Sequence, residues 1–407
     1  MSKLRILAVP SDAHGVGKYR ILDPFKLIGE KYSEEIHVDI SLDVEDNDQI
    51  FENYDIVVFH SFIHKKDHDR NIERINWLKS KGIKTVVDID DFWTVDKRHP
   101  MHDRIVQAKV PEKKIELLKS ADYVTTTTSF FADVIRQRLN LKNVYVFPNA
   151  VDETEPQFQP NVTDSDLIRF GWLGGSSHLF DIDLMKSGIS SIHNNFKNKV
   201  QFVLCGFDTR GSITQIDPQT KKAITRQIRP EETVWKQYEI IFTENYTTLD
   251  PEYINFLNQY REDESYDDKL KPYRRRWTKN VSTYASNYNN FDISLAPLVE
   301  SFFNSCKSQL KVIEAGFHKK ALIASKTTPY TLDLISAIDE GKLNNKGNAL
   351  LVDPKRNHKD WAKHMKRLVE NPSMIEDLGN RLYETVKDTY SLKKVCNDRV
   401  QFLKSII

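Results

Sequence analysis

The sequence predicts an α/β protein built from two doubly wound domains in succession. Three observations carry this expectation. Short Val- and Ile-rich runs alternate with helical stretches; the alternation breaks off at a proline-bearing acidic segment and then restarts; and the chain has 407 residues. Single hydrophobic cores rarely grow beyond about 250–300 residues, so a chain of this length divides.

In the first 150 residues, strands are predicted at Arg5–Val9, His37–Leu42, Asp55–His60, Thr85–Ile89, Tyr123–Thr127 and Val144–Phe147. Pro24 suits the first turn of one intervening helix and Pro111 the start of another. Apolar strands alternating with helices imply a parallel sheet covered on both faces. From Pro148 to Asp166, Pro148, Pro156 and Pro160 occur among acidic residues with little periodicity, which reads as a linker. The second set of strands is predicted at Ile168–Leu173, Val200–Cys205, Glu239–Phe242, Asp292–Ala296, Ala321–Ala324 and Leu350–Val352. About residues 209–288 the chain is too long and polar for one α/β unit, and an elaboration with a helix near Tyr253–Tyr260 is expected. Leu392, Val395, Val400, Leu403 and Ile407 define a terminal amphipathic helix.

Composition narrows the function classes. Basic and acidic residues nearly balance, 59 against 58, so a nucleic-acid backbone is not expected as a partner. Cys205, Cys306 and Cys396 form neither a CxxC pair nor a disulfide framework, which points to a reducing, cytoplasmic setting. No run of 18 apolar residues is present, so no membrane span is expected.

Ligands of open parallel sheets bind beyond the carboxyl ends of the strands, so the residues just after each strand carry the functional signal. After the first strand, Gly15 and Gly17 allow close backbone approach to a ligand or simply form a turn. After the fourth stand Asp88, Asp90 and Asp91. Three crowded carboxylates could hold sugar hydroxyls, act as a base or take a metal, although no His or Cys is spaced to complete a metal site. Alternatively Asp91 caps a helix. In the second half, Gly174, Gly175 and Ser176 follow a strand and suit a phosphate or sugar. A helix is predicted from Ser305, with Lys307 and Ser308 in its first turn facing a phosphate and with Lys311 and Glu314 on one face. The run Lys271–Trp277 is basic and aromatic. It reads as a solvated helix face or as a contact for an anionic acceptor.

In this order, these pieces resemble the GT-B glycosyltransferases, and among them the retaining, family 4-like group of sucrose synthases and bacterial polysaccharide and lipid glycosyltransferases. Gly15–Gly17 is similar to that family's first glycine loop, and Phe147-Pro148-Asn149-Ala150-Val151-Asp152 to its passage into the linker, with Ala150 in place of glycine. Gly171–Gly175 is similar to the second glycine loop and Leu295–Ala324 to the closing donor-binding unit. The resemblance implies two Rossmann-like domains facing a cleft: residues 1–152 on the acceptor side, 153–390 on the donor side, and a helix 391–407 at the junction. It implies transfer of a sugar from a UDP- or GDP-linked donor to a hydroxyl acceptor, without metal or separate cofactor. The acceptor class is a glycan or lipid-linked glycan, the latter bringing peripheral membrane contact.

By the same resemblance, Glu314 takes the donor ribose and Lys307 neutralises the diphosphate, with Gly15, Gly17, Gly174, Gly175, Ser176, Glu300, Asn304 and Ser308 as further donor contacts. Asp90, with Lys307, is the expected catalytic residue. Two positions depart from the pattern: Cys306 stands where a glutamate is usual, leaving Glu300 as the nearest upstream glutamate, and Asp90 stands where a histidine is frequent. Other readings are a lapsed, non-catalytic nucleotide- or carbohydrate-binding protein, an epimerase, and a DNA-modifying glycosyltransferase resting on Arg274–Arg276.

Overall fold

The computed structural model describes residues 3–65, 67–161, 165–206, 211–229, 232–247, 251, 269–277 and 279–407. The helix expected near Tyr253–Tyr260 lies outside them. Two compact units are present. The first comprises Met1–Glu155, Glu300–Phe317 and Thr385–Ile407; the second comprises Pro156–Val299 and His318–Glu384.

The first unit holds β1 (Leu4–Val9), β2 (Ile36–Ile40), β3 (Ile56–His60), β4 (Lys84–Asp88), β5 (Tyr123–Thr126) and β6 (Val144–Val146). They form one six-stranded parallel sheet, ordered β2-β1-β3-β4-β5-β6. The direction of winding reverses between β1 and β3, and ligand crevices in such sheets open at the reversal. One face packs the helices of residues 68–80, 110–120 and 129–139 around Phe59, Leu78, Leu117 and Phe131. The other face is covered by Asp23–Lys31 and by the terminal helix Leu392–Ser405, which inserts Leu392, Val395, Val400 and Leu403 against Ile6, Phe25 and Val58. Ser391 accepts from Lys394 N and caps that helix.

The second unit contains β7 (Ile168–Gly174), β8 (Val200–Gly206), β9 (Ser212–Ile216), β10 (Ala223–Gln227), β11 (Tyr273–Arg276), β12 (Ile293–Ala296) and β13 (Ala321–Ser325). Three shorter strands follow: β14 (Ile338–Asp339), β15 (Lys342–Leu343) and β16 (Leu350–Val352). Its main parallel sheet runs β11-β8-β7-β12-β13-β16, reversing between β7 and β12. The pairs β9–β10 and β14–β15 are separate antiparallel hairpins.

Two expectations for the second unit are corrected. Glu239–Phe242 is not a strand but part of a helix, Val234–Thr247. Trp235, Tyr238, Ile241 and Phe242 follow helical spacing and all enter the core. The run Lys271–Trp277 is not a solvated helix face, because Tyr273–Arg276 is the edge strand β11, with Arg274 and Arg276 buried. Arg275 lies between the rings of Trp235 and Trp277, 4.5 and 4.3 Å from their centroids, and donates to Leu204 O at 3.0 Å. Stacking and backbone carbonyls satisfy charges that sequence alone assigns to solvent. The exposed basic face on which a DNA-modifying reading rested is therefore not formed by Arg274–Arg276. No helix among the described residues is long and apolar enough to cross a membrane.

Gly171 in β7 is required for packing. A Cβ there would lie 2.0 Å from the Phe291 ring. Gly171→Ala should lower the stability of the second unit by about 1–3 kcal/mol, the usual cost of overpacking. Denaturant unfolding followed by tryptophan fluorescence of Trp172 and Trp235 measures it; an unchanged midpoint would contradict the contact.

Candidate functional site

In the first unit, polar and charged side chains gather where β1, β3, β4 and β6 end. Beyond β1 the chain turns at Asp12, whose Oδ1 accepts from His14 N at 2.8 Å and Gly17 N at 3.3 Å. A Cβ on Gly17 would come within 1.8 Å of Asp12 O, so this glycine is demanded by the turn itself. Gly15 is exposed, with nothing near its missing Cβ. The helix then widens into a π-turn, Lys18–Leu22, before Asp23–Lys31.

Arg20, in that turn, is fully buried. Its Nε and Nη2 donate to Asp88 Oδ1 and Oδ2 at 2.8 and 2.7 Å, and its Nη1 to Phe147 O and Asn149 Oδ1 at 2.6 and 3.1 Å. Thr125 adds a 2.6 Å hydrogen bond to Asp88 Oδ2. Burial alone would raise the Asp88 carboxyl, but the Arg20 guanidinium outweighs it and holds the group below its ordinary range. Arg399 of the terminal helix lies over Phe147 at 4.8 Å. Burial, with repulsion from Arg20, pulls it down to about 10.

The other two carboxylates have different environments. Asp90 Oδ1 meets His60 Nε2 at 3.0 Å. His60 Nδ1 lies 2.7 Å from Ser11 Oγ, whose hydroxyl donates to Asp12 Oδ2 at 2.8 Å. Burial opposes ionisation of Asp90, yet the charges of His60 and Lys114 prevail and hold its carboxyl well below the usual range. About 20% of the Asp90 side chain is exposed. Asp91 is exposed at the surface and caps nothing, contrary to one expectation; the next helices begin at His102 and Val110. Desolvation by surrounding protein and then repulsion from Asp90 push the Asp91 carboxyl upward, while Lys307 and Lys114 oppose them.

Residues 300–317 also belong to the first unit. The single helix predicted from Ser305 is two helices, Phe302–Ser305 and Leu310–Phe317. Lys307 and Ser308 lie in the break between them rather than in a first helical turn. Tertiary contacts set the break: Cys306 is buried among the apolar side chains of the first core, and Gln309 Nε2 donates to Tyr390 OH at 2.8 Å. Burial pushes the Cys306 thiol up to about 12, so its role is packing. Lys307 Nζ sits 5.1 Å from the Phe303 ring centroid, and Ser308 Oγ accepts from Asn149 Nδ2 at 3.0 Å. Glu314 is buried and accepts from Tyr19 OH at 2.6 Å. Glu300 is exposed at the head of the segment, and Ser301 caps the first helix through Asn304 N at 3.1 Å. Ser308 is thus held by Asn149 and Glu314 by Tyr19, and Asn149 and Tyr19's neighbour Arg20 connect in turn to Asp88.

Gly174, Gly175 and Ser176 belong to the second unit, at the end of β7. Their turn is held by Tyr238, whose hydroxyl donates to Gly175 O at 3.3 Å and accepts from His178 N at 2.8 Å. His178 Nδ1 meets Asp181 Oδ2 at 2.7 Å, and Asp181 Oδ1 accepts from Val299 N, beyond β12, at 2.7 Å. The two strands flanking this sheet's reversal are linked through Asp181. Sequence reasoning assigned no role to Tyr19, Arg20, His60, Lys114 or Asn149. Arg20 carries a usable signal, a charge beside Tyr19, Ile21 and Leu22, as does His60, a polar end to the apolar run Ile56–Phe59.

Comparison with known proteins places the fold. No family model matches the sequence, and no curated protein matches it. Among solved structures, Anabaena HepE in complex with UDP is similar at a TM-score of 0.59 and 10% identity, covering 99% of this chain and 100% of that one. The catalytic domain of Arabidopsis thaliana starch synthase IV, bound to ADP and acarbose, is similar at 0.56 and 12%, with 99% of each chain covered. TarM is similar at 0.52 and 14%, over 86% of this chain, which spans only 54% of TarM. The fold of this chain is therefore the GT-B fold of these proteins, with two six-stranded parallel sheets.

The Arg20–Asp88 pair should be essential to the first unit. Asp88→Asn leaves a buried guanidinium without its counter-charge and should cost about 3–5 kcal/mol. The sign of the pH effect follows from the depressed Asp88 carboxyl. Its contribution is complete above the unfolded value, about pH 3.9, and is lost as pH falls through the lower folded value. Wild-type stability should therefore fall on acidification through this pair, and that component should be missing in Asp88→Asn. Equal acid dependence in the two proteins would refute it.

Proposed function

We propose that this chain is a glycosyltransferase that moves a sugar from a nucleotide-diphosphate donor, UDP- or GDP-linked, to a hydroxyl acceptor on a glycan or lipid-linked glycan. The observation that carries the reading is the likeness of fold along nearly the whole chain to HepE, whose structure holds UDP, and to starch synthase IV, whose structure holds ADP and acarbose. The side chains suit that chemistry. A diphosphate leaving group needs preorganised positive charge, and Lys307 supplies it without a metal or separate cofactor. Ser308 and Glu314 offer the adjoining polar contacts, while Gly174, Gly175 and Ser176 provide a turn a ligand can approach closely.

The three aspartates divide the remaining work. Asp88 is structural, through Arg20. Asp90 is held ionised with one oxygen on His60, which suits an acceptor of sugar hydroxyl hydrogen bonds better than a base at neutral pH. This is a narrower role than the sequence suggested. A lipid-linked acceptor would bring the protein to a membrane surface from the cytoplasmic side. The family 4-like, retaining subgroup is the finer assignment we favour.

Thermal-shift and calorimetric titration with UDP, GDP, ADP and their sugars tests donor binding, and donor hydrolysis without acceptor separates an enzyme from a lapsed binder. Lys307→Ala should weaken nucleotide-diphosphate binding while affecting the nucleoside less, because the lost contact is with phosphate. Unchanged diphosphate affinity would return Lys307 to the status of a surface lysine. Asp90→Asn preserves shape but removes the charge paired with His60. Turnover should fall by about 10²-fold through misplacement of the reacting sugar, with donor affinity nearly intact; undiminished turnover would leave Asp90 as scaffold.

A further inference from the structure

Four consecutive residues of the turn after β1 are buried: Lys18, Tyr19, Arg20 and Ile21. An α-helix steps about 100° per residue, so four successive side chains cannot share one side. The wider i→i+5 turn relaxes that limit, and such turns recur at functional sites. Here it aims three adjacent polar side chains at three parts of the first unit. Lys18 Nζ pairs with Asp23 at 2.6 Å and Glu155 at 2.7 Å. Arg20 takes Asp88, Phe147 O and Asn149, and Asn149 passes the connection on to Ser308. Tyr19 reaches Glu314 directly.

Two adjacent residues therefore act on two positions of the 300–317 segment, six residues apart. We infer that Tyr19 is a positioning residue for nucleotide-diphosphate binding: its hydroxyl fixes the Glu314 carboxylate and, with Arg20 acting through Asn149, sets the Lys307–Ser308–Glu314 edge. This inference rests on the donor reading above. Glu314 is only 3% exposed, and a buried carboxylate keeps its place by the donors it accepts from. A short hydroxyl-to-carboxylate hydrogen bond is among the stronger ones available, and Tyr19 has no bulk to lose in Tyr19→Phe. Removing the hydroxyl keeps the ring in its packed site and releases one anchor of Glu314.

Calorimetric titration of UDP and GDP into the full chain tests this with wild type, Tyr19→Phe, Glu314→Gln and the double variant. Tyr19→Phe is expected to weaken the nucleotide diphosphate about tenfold or more, the usual effect of losing one charge-assisted hydrogen bond, with the unliganded melting temperature near wild type. The double variant should bind no more weakly than Glu314→Gln alone, since the two residues act as one unit. Additive losses, or undiminished affinity in Tyr19→Phe, would overturn the inference while leaving the donor reading standing. Failure of wild type to bind either nucleotide would overturn both. Should Tyr19→Phe not fold, Glu314→Asp, one methylene shorter, withdraws the carboxylate from the Tyr19 hydroxyl and should show the same selective loss; unaltered binding in it counts equally against the role.

Discussion

The buried ion pair between Arg20 and Asp88 is the interaction on which the first unit is organised. A guanidinium without solvent must find fixed acceptors for its N–H groups, and here they come from three places in the chain: both oxygens of Asp88, Phe147 O and Asn149. Satisfying Arg20 thus fixes the turn after β1 against the ends of β4 and β6. Pairs of this kind often contribute little net stability over an apolar replacement, but they are strongly destabilising when half is removed. Their larger effect here is geometric. The bidentate fork allows one arrangement of the strand ends, and His60, Asp90 and Asn149 lie at or just beyond those ends.

Three aspartates within four residues become three different groups through their neighbours. Asp88 faces a guanidinium and is committed to it. Asp90 faces His60, which is itself held by Ser11 and Asp12, and keeps its charge. For Asp91, desolvation by the surrounding protein and then the Asp90 charge push the carboxyl upward, against the pull of Lys307 and Lys114. Environments that separate otherwise identical carboxyl groups recur at functional sites, and they also arise in structural ion-pair networks. The separation depends on β3 lying between β1 and β4, which brings His60 to Asp90 and Ser11 together.

The segment 300–317 shows how far contacts can depart from chain order. Its neighbours in sequence, β12 and β13, build the second sheet, yet Cys306 is packed in the first core, Ser308 is held by Asn149 and Glu314 by Tyr19. The proline-asparagine passage after β6 thereby acquires a specific function: Asn149 accepts from Arg20 with its carbonyl oxygen and donates to Ser308 with its amide. Cys306, a departure from the expected glutamate, is explained by packing, since the position is fully buried among apolar side chains of the first core.

The alternation of Val- and Ile-rich runs with helices by itself determined the class of fold and the placement of most strands, because burial on both sheet faces imposes that composition. The glycine turns and the Asp88–Asp91 cluster were legible for the same local reason: strand ends are where polar residues and glycines become affordable. Only the tertiary structure decided that Tyr273–Arg276 is a strand, since stacking on Trp235 and Trp277 and backbone carbonyls far away in sequence accommodate its charges. It also decided that Glu239–Phe242 is helical, where a short apolar run fits either period. Above all it decided the partners. His60 with Asp90, Arg20 with Asp88 and Tyr19 with Glu314 are separated by 30, 68 and 295 residues. Local periodicity reports which face is buried, but which distant group a buried charge meets is set by strand order and packing.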